Sequence, residues 1–224
     1  MRVRPLEEGD LTEAAILHRH VLDMEFLSRY GLGFMRLYYR AWMMSPASIA
    51  LAAVDENGTL VGSLLGAADP AAQVRGMVRT YGMRLGIRLM AHAAIHPRLA
   101  VDLIATRGIR YVRGVARVIG ARLRPSPPVA VGGDDSPRVG EITHLLVKPN
   151  LQGMGIGREL VAAAVSIARD AGRDEMVLVT PPDLAARGFY ERLGWIVDRE
   201  LTSRSGEAFV HFRLPLNPPG SKDG

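Results

Sequence analysis

The hydrophobic pattern of the N-terminal part predicts three strands and two helices in the order β-α-α-β-β. Short apolar runs indicate the strands, whereas apolar residues at helical spacing indicate the helices. Asn57-Gly58 lies between the last two runs and supplies the positive φ angles of a tight β-hairpin. The predicted bounds are 2–6, 49–54 and 59–66 for the strands, with helices that begin near Leu11 and span 32–43.

The C-terminal part alternates strand and helix and ends in a hairpin around Ser205-Gly206. These elements, added to the N-terminal ones, favour an α/β fold with a mixed central sheet of about six or seven strands flanked by helices. The pattern predicts strands 141–147 and 175–180, helices 155–171 and 183–193, and hairpin strands 195–204 and 208–216.

Residues 67–140 interrupt this order. Four arginines between Arg75 and Arg88 recur at spacings of four, five and four beside an apolar face, which is typical of an amphipathic helix. A second helix of this kind is predicted over 97–122, and a linker rich in Pro and Gly, 125–135, leads to the next strand. The segment is therefore predicted to be a helical insertion.

The composition fits a globular protein of 224 residues, 48% hydrophobic and 23% charged. We expect one domain over 1–216, interrupted by the insertion 67–140, and a frayed tail over 217–224. The absence of cysteine excludes disulfides, thiolate metal sites and a cysteine nucleophile, and it favours a reducing compartment. Since no export signal and no run of about 20 apolar residues is present, we expect a cytoplasmic protein or one peripheral to a membrane.

A glycine-rich loop, Gln152 to Arg158, lies between a predicted strand and a predicted helix. Backbone N–H groups at a helix N-terminus have no partner within the helix and lie at the positive end of its dipole, so the loop predicts an anion site. A P-loop is excluded because Arg158-Glu159 follows the last glycine where Lys-Ser/Thr is required. A dinucleotide fingerprint is disfavoured because the glycines fall at Gly-x-Gly-x-Gly.

The spacing Gln-x-x-Gly-x-Gly from Gln152 to Gly157 instead resembles motif A of the GNAT superfamily of acyl-CoA-dependent N-acetyltransferases. Residues 183–195 are similar to motif B of the same family. This segment departs from the motif at Asp183, where the family usually has Asn, and at Trp195, where it usually has Phe. The matching positions are Ala186, Phe189, Tyr190 and Gly194.

The resemblance implies acetyl-CoA as the co-substrate. In this family the strand before motif A separates from its neighbour, so that pantetheine amides pair with the free strand edge, and the loop binds the pyrophosphate through main-chain N–H groups. His92 and His96 stand four residues apart, but no carboxylate or cysteine accompanies them, so a metal site is disfavoured. The cofactor-binding residues implied are Leu146, Val147, Gln152, Gly153, Met154, Gly155, Ile156, Gly157, Arg158, Asp183 and Tyr190.

Three residues are candidates to carry the chemistry. Tyr190 matches the family tyrosine that stands near the sulfur, where a phenol is suited to protonate a departing thiolate. Glu141 matches a glutamate that accepts the amine proton in the histone-acetyltransferase branch, and His144 is the rival base because imidazole titrates in the useful range. In a regular strand these two side chains point to opposite faces, so only one is expected to face the acceptor.

The expected function is therefore transfer of acetyl from acetyl-CoA to a primary amine of an acceptor that the sequence does not identify, with anionic and carrier-bound molecules as candidates. The resemblance to the family implies direct attack within a ternary complex, and the chain has no cysteine that could form a thiol-linked acyl-enzyme. One alternative is an N-acyltransferase that uses a longer or carrier-protein-linked acyl group. The other is a non-catalytic module that binds CoA or a membrane surface.

The charge of the insertion leaves its role open among several alternatives. Residues 73–125 hold eleven arginines and one acid, Asp102, so this segment carries about +10 within a chain of net charge +5. It is suited to form a lid or substrate wall for an acidic acceptor, such as a nucleotide-linked amino sugar, an acidic lipid or an acyl carrier protein. A membrane surface, a dimer contact and a solvated helical hairpin are the alternatives, and few aromatics disfavour nucleic acid.

Overall fold

The computed structural model describes residues 1–22, 26–95, 137–202, 206 and 208–216. The described residues form a seven-stranded mixed sheet in the order β1-β2-β3-β4-β5-β7-β6. All neighbouring strands are antiparallel except β4 and β5, which are parallel. The predicted α/β fold class is thus confirmed. The strands are β1 (Arg2–Pro5), β2 (Ser48–Val54), β3 (Leu60–Ala67), β4 (Val139–Val147), β5 (Glu175–Thr180), β6 (Ile196–Thr202) and β7 (Ala208–Pro215).

Five α-helices belong to the described residues. An amphipathic residue pattern favours a helix, as over Ile156–Asp170. The six buried residues of this helix recur at helical spacing and face the sheet, whereas its charged residues face solvent. The helices are α1 (Leu11–Val21), α2 (Gly31–Met43), α3 (Pro70–Ile95), α4 (Ile156–Asp170) and α5 (Leu184–Arg192).

Helices cover both faces of the sheet and create two apolar cores. The first core packs α1 and α2 against one face, with Tyr39, Met35 and Leu65 among its fully buried members. The second core packs α4 against the other face through Leu160 and Val161. Every residue of β3 is buried, as expected of a strand that is covered on both sides.

The arginine-rich helix predicted at the start of the insertion is present as α3. It packs mainly against α2, and its Met77, Leu85 and Leu89 point toward the first core. None of the described helices is long and apolar enough to cross a membrane. The second predicted helix (97–122), the linker (125–135) and the tail (217–224) lie outside the described residues.

Candidate active site

The site begins where strands β4 and β5 separate. Residues 139–142 of β4 pair in parallel with residues 175–178 of β5, and this pairing ends at Ile142 and Leu178. Beyond that point β4 continues to Val147 while it remains paired with β3. Peptide groups of β4 therefore face a gap, where an extended ligand can add main-chain hydrogen bonds in the manner of another strand.

The peptide groups of β4 alternate in direction. Lys148 donates its N–H to Val61 O in β3 over 2.9 Å, and the Leu146 carbonyl points the same way. Leu145 and Val147 consequently turn their peptide groups toward the gap, and both residues line the cleft. The sequence indicated Val147 but missed Leu145. The side chain of Leu146 is fully buried in the first core, and its contribution to cofactor binding stays a prediction.

The glycine-rich loop leads directly into helix α4. Gly153 and Gly155 have φ angles of 80° and 87°, in the left-handed region that favours glycine, and Gly155 is the N-cap of α4. The first hydrogen bond of the helix runs from the Glu159 N–H to Gly155 O over 3.1 Å. The N–H groups of residues 156–158 precede that bond and open toward the cleft, so together with the helix dipole they form an anion site.

A cleft of about 940 Å³ joins the gap between the strands to this anion site. Its size is typical of a ligand-binding pocket, and its shape offers a strand edge at one end and unpaired helical N–H groups at the other. These features fit an extended acyl-CoA whose pyrophosphate lies at the helix. The predicted cofactor-binding residues that line the cleft are Val147, Gln152, Gly153, Met154, Gly155, Ile156, Gly157, Arg158, Asp183 and Tyr190, which is all of them except Leu146.

Two contacts hold the opposite wall of the cleft in place. The Asp183 carboxylate accepts the Ala185 N–H over 3.1 Å and so caps helix α5. Gly157 lets the end of α4 approach α5, because a Cβ atom at this position would lie 3.3 Å from Phe189 Cζ. Both residues therefore shape the cleft through packing and capping.

Tyr190 lies in the cleft wall with 8% of its surface exposed. Its ring packs against Phe189, Trp195 and Phe212, at centroid distances of 5.0, 5.9 and 5.6 Å. Burial raises the pKa of the Tyr190 phenol to about 12. The hydroxyl is protonated at neutral pH, as a phenol is even at its ordinary pKa, and a proton donor requires that state.

A β-bulge in β4 corrects one expectation from the sequence. Leu65 pairs with His144, but the next residue of β3, Gly66, pairs with Ile142, so Thr143 is the extra residue. The bulge interrupts the alternation of side chains and places Glu141 and His144 on the same face of the sheet, opposite β3 residues of the first core. The prediction that they point to opposite faces is therefore wrong.

Glu141 and His144 lie in different surroundings on this shared face. Burial raises the pKa of the Glu141 carboxyl above its ordinary value. His144 Nε2 lies 3.1 Å from the Tyr38 hydroxyl, and its ring centroid is 4.7 Å from that of His18. Burial destabilises the anionic form of Glu141, and the Tyr38 hydroxyl holds the imidazole of His144 in place. Both groups are therefore suited to accept a proton.

His18 extends this group into the core and was missed by the sequence analysis. It is fully buried, and its Nδ1 lies 3.0 Å from the Tyr39 hydroxyl, which lies 3.5 Å from Ser63 Oγ. Helical spacing could have predicted its burial, because His18 lies on the same face of α1 as the buried residues Leu11 and Ala14. The described residues contain no group of three or more His, Asp or Glu that could hold a metal ion, and His96 lies outside them.

The fold of the described residues is that of solved acetyltransferase structures. The chain matches the model of the acetyltransferase (GNAT) family over residues 18–195. It therefore belongs to this family, and the resemblance inferred from the two motifs is confirmed.

Relatives in sequence and structure agree with this assignment. A mycothiol acetyltransferase of Arthrobacter sp. (strain FB24) is 26% identical over 179 residues, which are 79% of this chain and 54% of the relative. An aminoglycoside N(6')-acetyltransferase type 1 of Stenotrophomonas maltophilia is 34% identical over 89 residues, 39% of this chain and 53% of that protein. The chain thus spans about half, or less, of the length of the curated relatives it matches.

Two solved structures show the same fold. An aminoglycoside 6'-N-acetyltransferase complexed with coenzyme A superposes with a TM-score of 0.57 at 14% identity, covering 97% of this chain and 98% of the other. Ard1 from Thermoplasma volcanium gives a TM-score of 0.56 at 13% identity, with 97% and 98% coverage. At these identities the likeness concerns the fold alone.

Proposed function

We propose that the chain transfers an acetyl group from acetyl-CoA to a primary amine by direct attack within a ternary complex. The observation that carries the proposal is the end of β4–β5 pairing at Ile142, followed after Val147 by a glycine-rich helix N-terminus. This arrangement offers strand-like hydrogen bonds and an anion site along one cleft, which matches the amides and the pyrophosphate of coenzyme A.

The residues that would bind acetyl-CoA follow from the cleft. Leu145 and Val147 would offer peptide groups to the pantetheine arm, and the N–H groups of residues 156–158 would bind the pyrophosphate. The co-substrate supplies an activated acetyl thioester. The structure of a relative complexed with coenzyme A supports this choice of ligand class.

The chain supplies the proton transfers that the reaction needs. As the acceptor nitrogen bonds to the thioester carbon, a base of the protein takes the amine proton, and as the carbon–sulfur bond breaks, Tyr190 donates its proton to the departing thiolate. The Tyr190 phenol carries this proton at neutral pH, before the thiolate forms. Proton exchange with solvent then restores both groups.

Glu141 is the first choice for the base and His144 the second. The raised pKa of Glu141 brings a carboxylate closer to the basicity that an ammonium acceptor requires. The imidazole of His144 is held by Tyr38, which orients one ring nitrogen. Because the bulge sets both side chains on one face, variants of each residue are needed to assign the role.

The acceptor class rests on the relatives. One relative is named for an aminoglycoside and others for mycothiol, so aminoglycosides are the first amines to test. An anionic or carrier-bound amine is the other class, because of the arginines in the insertion.

Calorimetric titration with acetyl-CoA, coenzyme A and a long-chain acyl-CoA tests the proposal. Acetyl-CoA binding in the micromolar range that Gly155→Val abolishes, followed by turnover of an amine panel that Tyr190→Phe suppresses, is the expected result. Preference for the long-chain acyl-CoA would instead favour a longer acyl donor. Absence of binding for every CoA species would refute the proposal, and binding without turnover of any amine would indicate a non-catalytic module.

A further inference from the structure

Helix α3 has two apolar faces, of which the structure buries one. Met77, Leu85 and Leu89 pack toward the first core. On the outer side, three large apolar side chains are exposed to 79%, 61% and 64% of their full surface: Met83, Ile87 and Met90. Their spacing of four and three residues places these side chains in one stripe, within about 60° of the helix circumference.

The charges beside this stripe have one sign. No acidic residue occurs in the whole of α3 (Pro70–Ile95), whereas four arginines do. At about 100° per residue, Arg75 and Arg79 flank the stripe on one side and Arg84 on the other. Among the described residues, no carboxylate forms an ion pair with these three guanidinium groups.

We propose that the outer face of α3, defined by Met83, Ile87 and Met90 with their flanking arginines, docks on the surface of a lipid bilayer that contains anionic headgroups. The stripe would enter the boundary between headgroups and acyl chains. The long arginine side chains would extend along its borders to the phosphates. The axis of α3 would then lie parallel to the membrane plane.

Charge complementarity favours an anionic bilayer. A ridge of exposed side chains is convex and fits a soft surface that closes around it, whereas a protein partner would need a matching groove. The border carries only positive charge, which an anionic lipid surface matches along its whole length. The proposal is independent of acyl transfer, because it concerns a helix that contributes no residue to the lining of the 940 Å³ cleft.

Co-sedimentation of the full chain with lipid vesicles tests the proposal. We expect binding to phosphatidylcholine vesicles with about 30% phosphatidylglycerol at about 0.1 M salt, at least about tenfold weaker binding to pure phosphatidylcholine, and release at about 1 M salt. The double variant Arg79→Gln/Arg84→Gln should bind roughly 25-fold more weakly, at about fivefold per charge. The triple variant Met83→Ser/Ile87→Ser/Met90→Ser should lose about tenfold or more.

Matched controls separate docking from general effects of charge and hydrophobicity. Arg2→Gln/Arg169→Gln removes two exposed arginines elsewhere, and Ile16→Ser/Ile167→Ser/Ile196→Ser removes three exposed apolar side chains elsewhere. Circular dichroism should show that all variants keep the wild-type fold, and both controls should bind vesicles like the wild type.

Three results would overturn the proposal. The first is failure of the wild type to bind anionic vesicles, and the second is equal loss of binding in the controls and the α3 variants. The third is a stable dimer in analytical ultracentrifugation that the triple α3 variant converts to a monomer, because a second copy of the chain would then cover this face.

Discussion

Gly155→Ala tests whether the conformation of the loop creates the anion site. Gly155 has a φ angle of 87° and caps helix α4. A Cβ atom at this position would cause no steric clash, because the nearest atom, a terminal nitrogen of Arg158, lies 3.7 Å away. The added methyl group therefore acts through the backbone, which an alanine strains in this region.

The expected magnitude follows from this strain. An L-residue other than glycine pays about 1–2 kcal/mol to occupy the left-handed region. If the loop relaxes to a negative φ, the N–H groups of residues 156–158 turn away from the cleft, and binding of the pyrophosphate must restore the strained conformation. We therefore expect an affinity for coenzyme A lower by about 5- to 30-fold.

Titration calorimetry with coenzyme A measures this effect, and Gly58→Ala is the matched control. Gly58 has a φ angle of 81° in the β2–β3 turn, no atom lies within 4 Å of its added Cβ, and it does not line the cleft. Both variants should lose a similar amount of unfolding free energy, about 1–2 kcal/mol. Only Gly155→Ala should lose affinity. Wild-type affinity in Gly155→Ala, or equal loss in both variants, would refute the reasoning.

Three further predictions concern the sheet and the chemistry. Gly66→Ala should lower the free energy of unfolding by about 1–3 kcal/mol in chemical denaturation, because the added Cβ would lie 2.5 Å from Glu141 O. Gly86→Ala is the control and should not destabilise the protein, because its Cβ would meet no atom within 4 Å. Tyr190→Phe should lower kcat by about 10²-fold while leaving coenzyme A affinity unchanged in calorimetry, since it removes only the proton donor; an unchanged kcat would exclude Tyr190 as the acid. Glu141→Gln should abolish the acidic limb of the pH–rate profile, and it should raise the thermal unfolding temperature at neutral pH but not below the ordinary glutamate pKa. The pKa of Glu141 is raised in the folded state, so the stability of the wild type falls as the pH rises from the ordinary to the raised pKa of this carboxyl. Equal thermal stability of the variant and the wild type at every pH would contradict this prediction.

Local patterns predicted the fold and most of the residues that line the cleft. Strand alternation, helical spacing and the glycine spacing of residues 152–157 are properties of short segments, so they are visible without tertiary structure. The packing of His18 and His144 was not visible, because the hydrogen-bond partner of each is distant in sequence. Tyr39 lies 21 residues from His18, and Tyr38 lies 106 residues from His144.

The orientation of Glu141 relative to His144 failed for a different reason. In a regular strand, side chains alternate between the two faces of the sheet, so the face of each residue follows from its position in the sequence. One unpaired residue reverses the predicted face of every later residue in the strand. No residue in 141–147 signals the bulge, since the glycine that permits it, Gly66, lies on the neighbouring strand.

The bulge and the opening of the cleft occur at the same point of β4. The extra residue is Thr143, and pairing with β5 ends at Ile142. Because a bulge bends its strand and increases the local twist, it turns the rest of β4 away from β5 and exposes the peptide groups that face the gap. The same extra residue brings Glu141 onto the face of His144. One irregularity thus creates both the free strand edge along the cleft and the grouping of Glu141 with His144, and the missing side chain of Gly66 is the condition for it.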